Sequence, residues 1–524
     1  MNSHVWLSNA WSVGLNESVG TPDESPHALA PGRIGAAAVI LFALGATAPL
    51  AVLIAVVPAA YARGGGPLVP LTFTVLAVVL VCFSAGYAAM AGRVPFAGAM
   101  YAYVARGLGR PSGVGAAWVA LLSYTAVQLG LYGVAGAAAA PLLRSWFHVT
   151  AQWWTVAAVC WAIVALCGTW RVEILGGLLA VLVIAEAAVI TGYAAANLID
   201  PAGGRITVGS ILPTHPGAVD RPVLGVLLAI GALAFVGFET TGTYAEETMR
   251  PRRDAGRATY VVVVLVAVLL AGSAWSMAVA AGPGRVGVLA GDRGPELLFD
   301  LAAARLAPWA VTLGRIMLLT GLVAAMLALH QAISRYLFAL GREQIFPRAL
   351  GRTARRTSAP RAASLTQSVI AAVAIGAAYL AGVDAPGVLA RRLAAWGGLG
   401  ILILLLATSL AALLHLNRVP NGEGVWSRFV APILSTVSLG ALCYLAFRNL
   451  PALLSVRTAD RLVWIVPGAL GAVAAVGILH AWMLRGTRPA VYAGIGQGGV
   501  PIVVTPQIPH PREPGAHRPE RVDS

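Results

Sequence analysis

The chain has 524 residues, of which 58% are hydrophobic and 11% charged, with a net charge of +15. Soluble globular chains carry roughly 25% charged residues, so this composition excludes an ordinary soluble domain and points to a chain solvated by lipid. All 36 basic residues are arginine, read as a codon bias, and they cluster between apolar runs, which fits membrane orientation better than nucleic-acid binding.

The first 30 residues lack the basic and apolar regions of a signal peptide and read as a mobile polar tail. Twelve apolar segments follow, each a candidate to cross about 30 Å of hydrocarbon at about 1.5 Å per residue. The expected spans 1 to 6 are 34–61, 67–91, 114–141, 153–168 (the shortest), 173–198 and 222–239. Spans 7 to 12 are 259–281, 309–340, 362–381, 393–416, 430–447 and 462–484. The last 40 residues are polar and broken by Pro501, Pro506, Pro509, Pro511, Pro514 and Pro519, with a weak PxxP pattern. Cys82, Cys160, Cys167 and Cys443 all lie in apolar runs, match no metal or disulfide framework, and read as small buried hydrophobes. No cofactor or metal site is expected. Placing the N-terminus inside puts 22 arginines in inner loops and tails against 12 in outer loops, so both termini are expected in the cytoplasm.

Span 1 carries Gly45-Ala46-Thr47-Ala48-Pro49 in mid-membrane. Pro49 has no amide hydrogen and Gly45 tolerates non-helical angles. Span 6 carries Phe235-Val236-Gly237-Phe238-Glu239, again in an apolar run. Either motif alone is a kink or a close-packing device. Together, five spans apart, they mark matching positions in two five-helix halves, where bared backbone groups can meet a solute.

Ionisable residues within spans are costly and mark interior or functional positions. Glu186 in span 5 is a proton-coupling candidate or a protonated packing carboxyl. Glu239 is a second proton carrier or a group that orders the span 6 break. Tyr124, Gln128 and Tyr132 recur every four residues on span 3, so they line a vestibule or make interhelical hydrogen bonds. On span 8, Arg315 attracts an anion in the outer vestibule or snorkels. His330 and Gln331 line the pathway or pack.

Four stretches resemble the amino acid–polyamine–organocation superfamily. They are the Gly45–Pro49 break, Pro95-x-x-Gly98-x-x-Tyr101-x-Tyr103 after span 2, Phe235 to Glu239 with Glu246-Glu247 and Arg250 to Arg253, and Ser334-Arg335 through Arg342 to Pro347. The resemblance implies an all-α membrane protein of twelve transmembrane helices: a leucine-transporter-like 5+5 inverted repeat with spans 1 and 6 unwound, plus two peripheral helices. Its parts would be a disordered cytoplasmic tail (1–33), the two repeats (34–198 and 222–416) around an extracellular loop (199–221), spans 11 and 12 (417–484) and a disordered tail (485–524). It further implies alternating access in the cytoplasmic membrane, with proton-coupled symport or exchange of an amino acid or amine. Ala46, Thr47 and Ala48 would meet the substrate carboxylate, and Phe235, Val236, Gly237 and Phe238 its ammonium and side chain. Leu233 departs from the gating aromatic of several relatives. Span 8 lacks the adjacent hydroxyls of a sodium site. The alternatives are a membrane-embedded enzyme or a non-transporting receptor on the same scaffold. A major-facilitator transporter fits less well, because the loop after span 2 lacks an acid.

Overall fold

The structure, a computed structural model, describes residues 29–212, 220–354 and 356–499. The expected disordered ends at 1–28 and 500–524, with the PxxP pattern, and part of the loop after span 5 (213–219) lie outside the described residues. Eleven of the described helices are long and apolar enough to cross a bilayer, and Trp153–Cys167 is a shorter apolar helix between two of them. Spans 1 to 6 are Ala36–Ala62, Leu68–Arg93, Arg110–Phe147, Trp153–Cys167, Val172–Ile199 and Arg221–Glu247. Spans 7 to 12 are Asp254–Ala281, Pro308–Arg342, Arg361–Leu380, Val388–Arg418, Trp426–Arg448 and Leu462–Thr487.

Where each span sits follows from how much of it needs protein rather than lipid around it. In span 8, 72% of the apolar window is buried, against 17% in span 12, so span 8 is central and span 12 peripheral. The first half of span 1 packs against spans 5, 7 and 8 and the end of span 6, while span 3 packs against spans 10 and 12. Small residues allow these approaches. A Cβ on Gly256 of span 7, for example, would lie 2.7 Å from the Ala88 Cβ of span 2. Cys160, Cys167 and Cys443 are buried and all four thiols are free.

Three stretches differ from the expected layout. The loop after span 2 contains a buried helix, Ala99–Leu108, whose ten residues are too few to cross a membrane and so give no hydropathy signal. Residues 29–33, expected in the N-terminal tail, pack against the protein: Leu29 is buried, and the Arg33 amide donates to the Glu247 carbonyl at 2.9 Å. Residues 485–499, expected in a disordered tail, complete span 12, form the short helix Pro489–Gly494, and return to the core. There the amides of Gly496 and Gly498 donate to the Glu343 carboxylate at 3.0 and 2.7 Å.

The loop between spans 10 and 11 is pinned by Glu423, which forms a two-pronged ion pair with Arg93 at the end of span 2. The guanidinium holds the Glu423 carboxyl down at about 2, below its ordinary 4.5. A depressed carboxyl stabilises the fold fully above its ordinary range and loses that contribution as pH falls toward the lowered value. Thermal stability should therefore decline between about pH 4.5 and 2 by an extra increment on the order of 1 kcal/mol, absent in Glu423→Gln. Identical acid profiles for the variant and the parent protein would contradict this.

Candidate functional site

The helix of span 1 stops at Ala46 and restarts at Pro49. Between them Ala48 sits in the left-handed region, φ 46° and ψ 59°, a conformation that costs an L-residue on the order of 1–3 kcal/mol. Pro49 takes the first position of the second half, where its missing amide hydrogen is no loss. The next amide, Leu50, donates at 2.9 Å to Oε1 of Glu186 on span 5. Glu186 thus sits at the positive end of a helix half inside the membrane. Gly321 of span 8 leaves the space for it: a Cβ there would lie 2.7 Å from Glu186 Oε2.

Span 6 is helical to Ala234, passes through Gly237 at φ 119°, and continues as a tighter helix from Phe238 to Glu247. Only glycine adopts that angle freely, and here it also brings the two interrupted spans together: a Cβ on Gly237 would lie 2.6 Å from the Ala46 carbonyl carbon. Glu239 turns back on the break. Its Oε2 accepts the Gly237 amide at 2.9 Å and its Oε1 the Tyr124 hydroxyl at 2.8 Å. Its carbonyl accepts the Tyr87 hydroxyl at 2.6 Å.

A cavity of about 250 Å³ begins at this junction and runs between spans 1, 3, 6 and 10 to Arg63, Arg391 and Ser455, on the face opposite residues 29–35. Of the expected substrate residues, Ala46, Thr47, Ala48 and Val236 line it. Gly45 packs toward Val183, Pro49 is buried, and Gly237 faces Ala46. Phe235 and Phe238 turn away against Phe73 and Phe83 of span 2. Span 3 contributes Val127, Leu131 and Val134, the neighbouring stripe to Tyr124 and Gln128. Tyr124 is held by Glu239, and Gln128 bonds the Met326 carbonyl at 3.0 Å and Gln367 at 2.8 Å, so both serve helix packing. The Tyr132 hydroxyl is buried without a hydrogen-bond partner. His330 bonds Ser364 at 2.9 Å and Gln331 the Gly168 carbonyl at 3.1 Å, both away from the cavity. Arg315 pairs with Glu296 at 2.6 Å and covers the Phe299 ring, neither of them in the cavity lining. Leu233 does line it, as do Ile230 and Gly398.

The sequence profile of the amino acid permeases matches residues 36–473. The chain belongs to the amino acid permease family. This permease is similar to an uncharacterized transporter of Mycobacterium tuberculosis, 27% identical over 351 residues that cover 65% of this chain and 73% of the other. A transporter of Mycobacterium bovis, also uncharacterized, matches with the same identity and coverage. The permease is accordingly a multi-pass membrane transporter of a small molecule and not an enzyme.

Toward the face that carries residues 29–35, two ion pairs join spans 6 and 8. Arg335 of span 8 and Glu247 at the end of span 6 are 1% and 2% exposed and pair through two bonds, at 2.6 and 3.0 Å. Arg335 also donates to Gln331 Oε1 at 2.7 Å and lies 4.4 Å over the Tyr244 ring. One helix turn or two farther out, Arg342 pairs with Glu246, which also accepts the Ala97 amide at 2.8 Å. These acids and arginines stand in the quoted motifs, but their pairing is visible only once spans 6 and 8 meet in space.

Proposed function

We propose that the permease moves an amino acid with an apolar side chain by alternating access, from the cavity where the interrupted spans 1 and 6 meet. That meeting supports the reading best. The start of Pro49–Ala62 carries partial positive charge and suits a carboxylate, while the ends of Ala36–Ala46 and Arg221–Ala234 suit an ammonium. Val127, Leu131, Val134, Ile230, Leu233 and Val236 form the wall that a side chain would meet. Along this wall a charged side chain finds no partner and is disfavoured, the two arginines of the lining, Arg63 and Arg391, standing at the other end of the cavity from the junction. With residues 29–35 in the cytoplasm, as the arginine distribution favours, the described state faces outward, and the ion pairs of Glu246 and Glu247 close the inner side. Spans 1–5 and 6–10 would then be the two halves of a 5+5 inverted repeat.

In this reading protons are the coupling ion and Glu186 carries one. An ionised Glu186 holds the Leu50 amide strongly, as charge-assisted hydrogen bonds do. Protonation loosens that hold and frees the second half of span 1 to tilt. Glu239 does the corresponding structural work at the span 6 break. Uptake into liposomes should lose its pH dependence in Glu186→Gln; a variant that keeps it would reject the coupling role. For substrate class, leucine, isoleucine or valine at a hundredfold excess over Kd should stabilise the purified protein by about 2.7 kcal/mol. Stabilisation by aspartate or arginine in their place would overturn the apolar assignment.

A further inference from the structure

A second cavity, about 1070 Å³, lies on the face of residues 29–35, away from the transport pathway. It is a groove between the turn joining spans 4 and 5 and the segment joining spans 8 and 9. Arg171, Arg352, Arg356 and Arg361 line it, without any acidic residue. All four are exposed, and none forms an ion pair among the described residues. The nearest acid in sequence, Glu173, is directed to Arg33 at 3.6 Å. The Arg171 guanidinium donates to the Arg356 carbonyl at 3.2 Å and joins the two rims.

Two further features give the groove its chemistry. Val172–Ile199 and Arg361–Leu380 both begin at it, and neither has a side-chain cap, so two sets of helix amides add partial positive charge. One flank is apolar and faces outward: Trp170, Ile174 and Leu365 are 39%, 54% and 46% exposed. An exposed tryptophan beside aliphatic side chains is the composition of a membrane–water boundary. Guanidinium groups match phosphate oxygens in pairs. A ligand that satisfies both parts has an anionic phosphate and hydrocarbon chains.

We infer that this groove binds the phosphate of an anionic phospholipid from the leaflet on that face, with its acyl chains along Trp170, Ile174 and Leu365. The shared chemistry with a free phosphate ion is the phosphate itself; the exposed apolar flank selects the lipid. A lipid held there links the starts of spans 5 and 9 and ties the segment after span 8 to them. The inference is independent of which solute the permease carries.

The test is native mass spectrometry of the full chain released from detergent, with phosphatidylglycerol, with phosphatidylcholine of the same acyl chains, and with inorganic phosphate. Phosphatidylglycerol should be retained in preference to phosphatidylcholine. Arg171→Gln, Arg356→Gln and Arg361→Gln should each weaken that retention about fivefold, the equivalent of about 1 kcal/mol per arginine near a membrane surface. The lysine variants at the same positions keep the charge but lose the paired contact, and should fall between the parent and the glutamine variants, which separates charge loss from misfolding. Arg457→Gln, on the opposite face, should leave retention unchanged. Equal retention of the two lipids, or an equal loss in Arg457→Gln, would overturn the site. Displacement of phosphatidylglycerol by matched inorganic phosphate would overturn its assignment to lipid.

Discussion

Arg335→Gln should destabilise the permease by about 3–5 kcal/mol, because it strands Glu247 as a carboxylate without its partner in a fully buried site. The cost lies in the widowed charge more than in the lost attraction. Arg335→Met combined with Glu247→Gln removes both charges and should therefore recover most of the stability, as neutral replacement of a whole buried pair often does. The order of unfolding in a thermal or SDS titration checks this: parent, then the double variant close behind, then each single variant far below. A double variant as unstable as the singles would show that the packing of Tyr244 and Gln331 around the guanidinium matters more than the pair. The pair also holds span 6 to span 8, so the double variant should leak substrate faster through the face of residues 29–35 in liposomes even where it folds.

Gly237→Ala should cost about 2–5 kcal/mol and abolish substrate binding. Part of the cost is the φ of 119°, which an L-residue adopts only with strain. The rest is contact, since the new methyl would lie 2.6 Å from the Ala46 carbonyl carbon, and backbone on that side cannot give way as a flexible side chain would. The two interrupted spans would be pushed apart at the point where the cavity begins. Gly272→Ala in span 7 is the matched control. Nothing lies within 4 Å of its Cβ position, so it should be neutral or slightly stabilising. If Gly237→Ala binds substrate as well as the control does, the junction of spans 1 and 6 is not the site.

Much of this was legible in the sequence because a membrane forces backbone and charge to declare themselves. Apolar runs of crossing length appear plainly, and Pro49 and Gly237 stand out as breakers within them, whereas Gly45, expected to take non-helical angles, stays in the helix and Ala48 takes the left-handed angle instead. Glu186 and Glu239 stand out because acids in such runs are expensive. What stayed hidden was partnership. Nothing in the sequence links Glu186 to the Leu50 amide or marks Gly321 as the glycine that makes room for it. On span 3 the periodicity offers two stripes. The polar one, Tyr124 and Gln128, reads equally as a vestibule wall or as interhelical hydrogen bonds; its bonds are to Glu239 and the Met326 carbonyl, and the apolar Val127, Leu131 and Val134 face the cavity. Arg315 finds its acid in Glu296, in the segment before span 8, so it needs no anion from outside. Ala99–Leu108 is too short for a hydropathy signal, and residues 485–499 look like tail until Glu343 is seen to hold their amides.

Span 1 offers a direct probe of the central claim. Ala51, one turn past the break, lines the cavity and is half-buried, whereas the four native cysteines are outside the lining. An Ala51→Cys permease should react with a membrane-impermeant thiol reagent added from the side of Arg63 and Arg391, and saturating leucine should slow that reaction about tenfold or more. Rapid labelling that leucine and the other transported solutes leave untouched would mean that the substrate binds elsewhere.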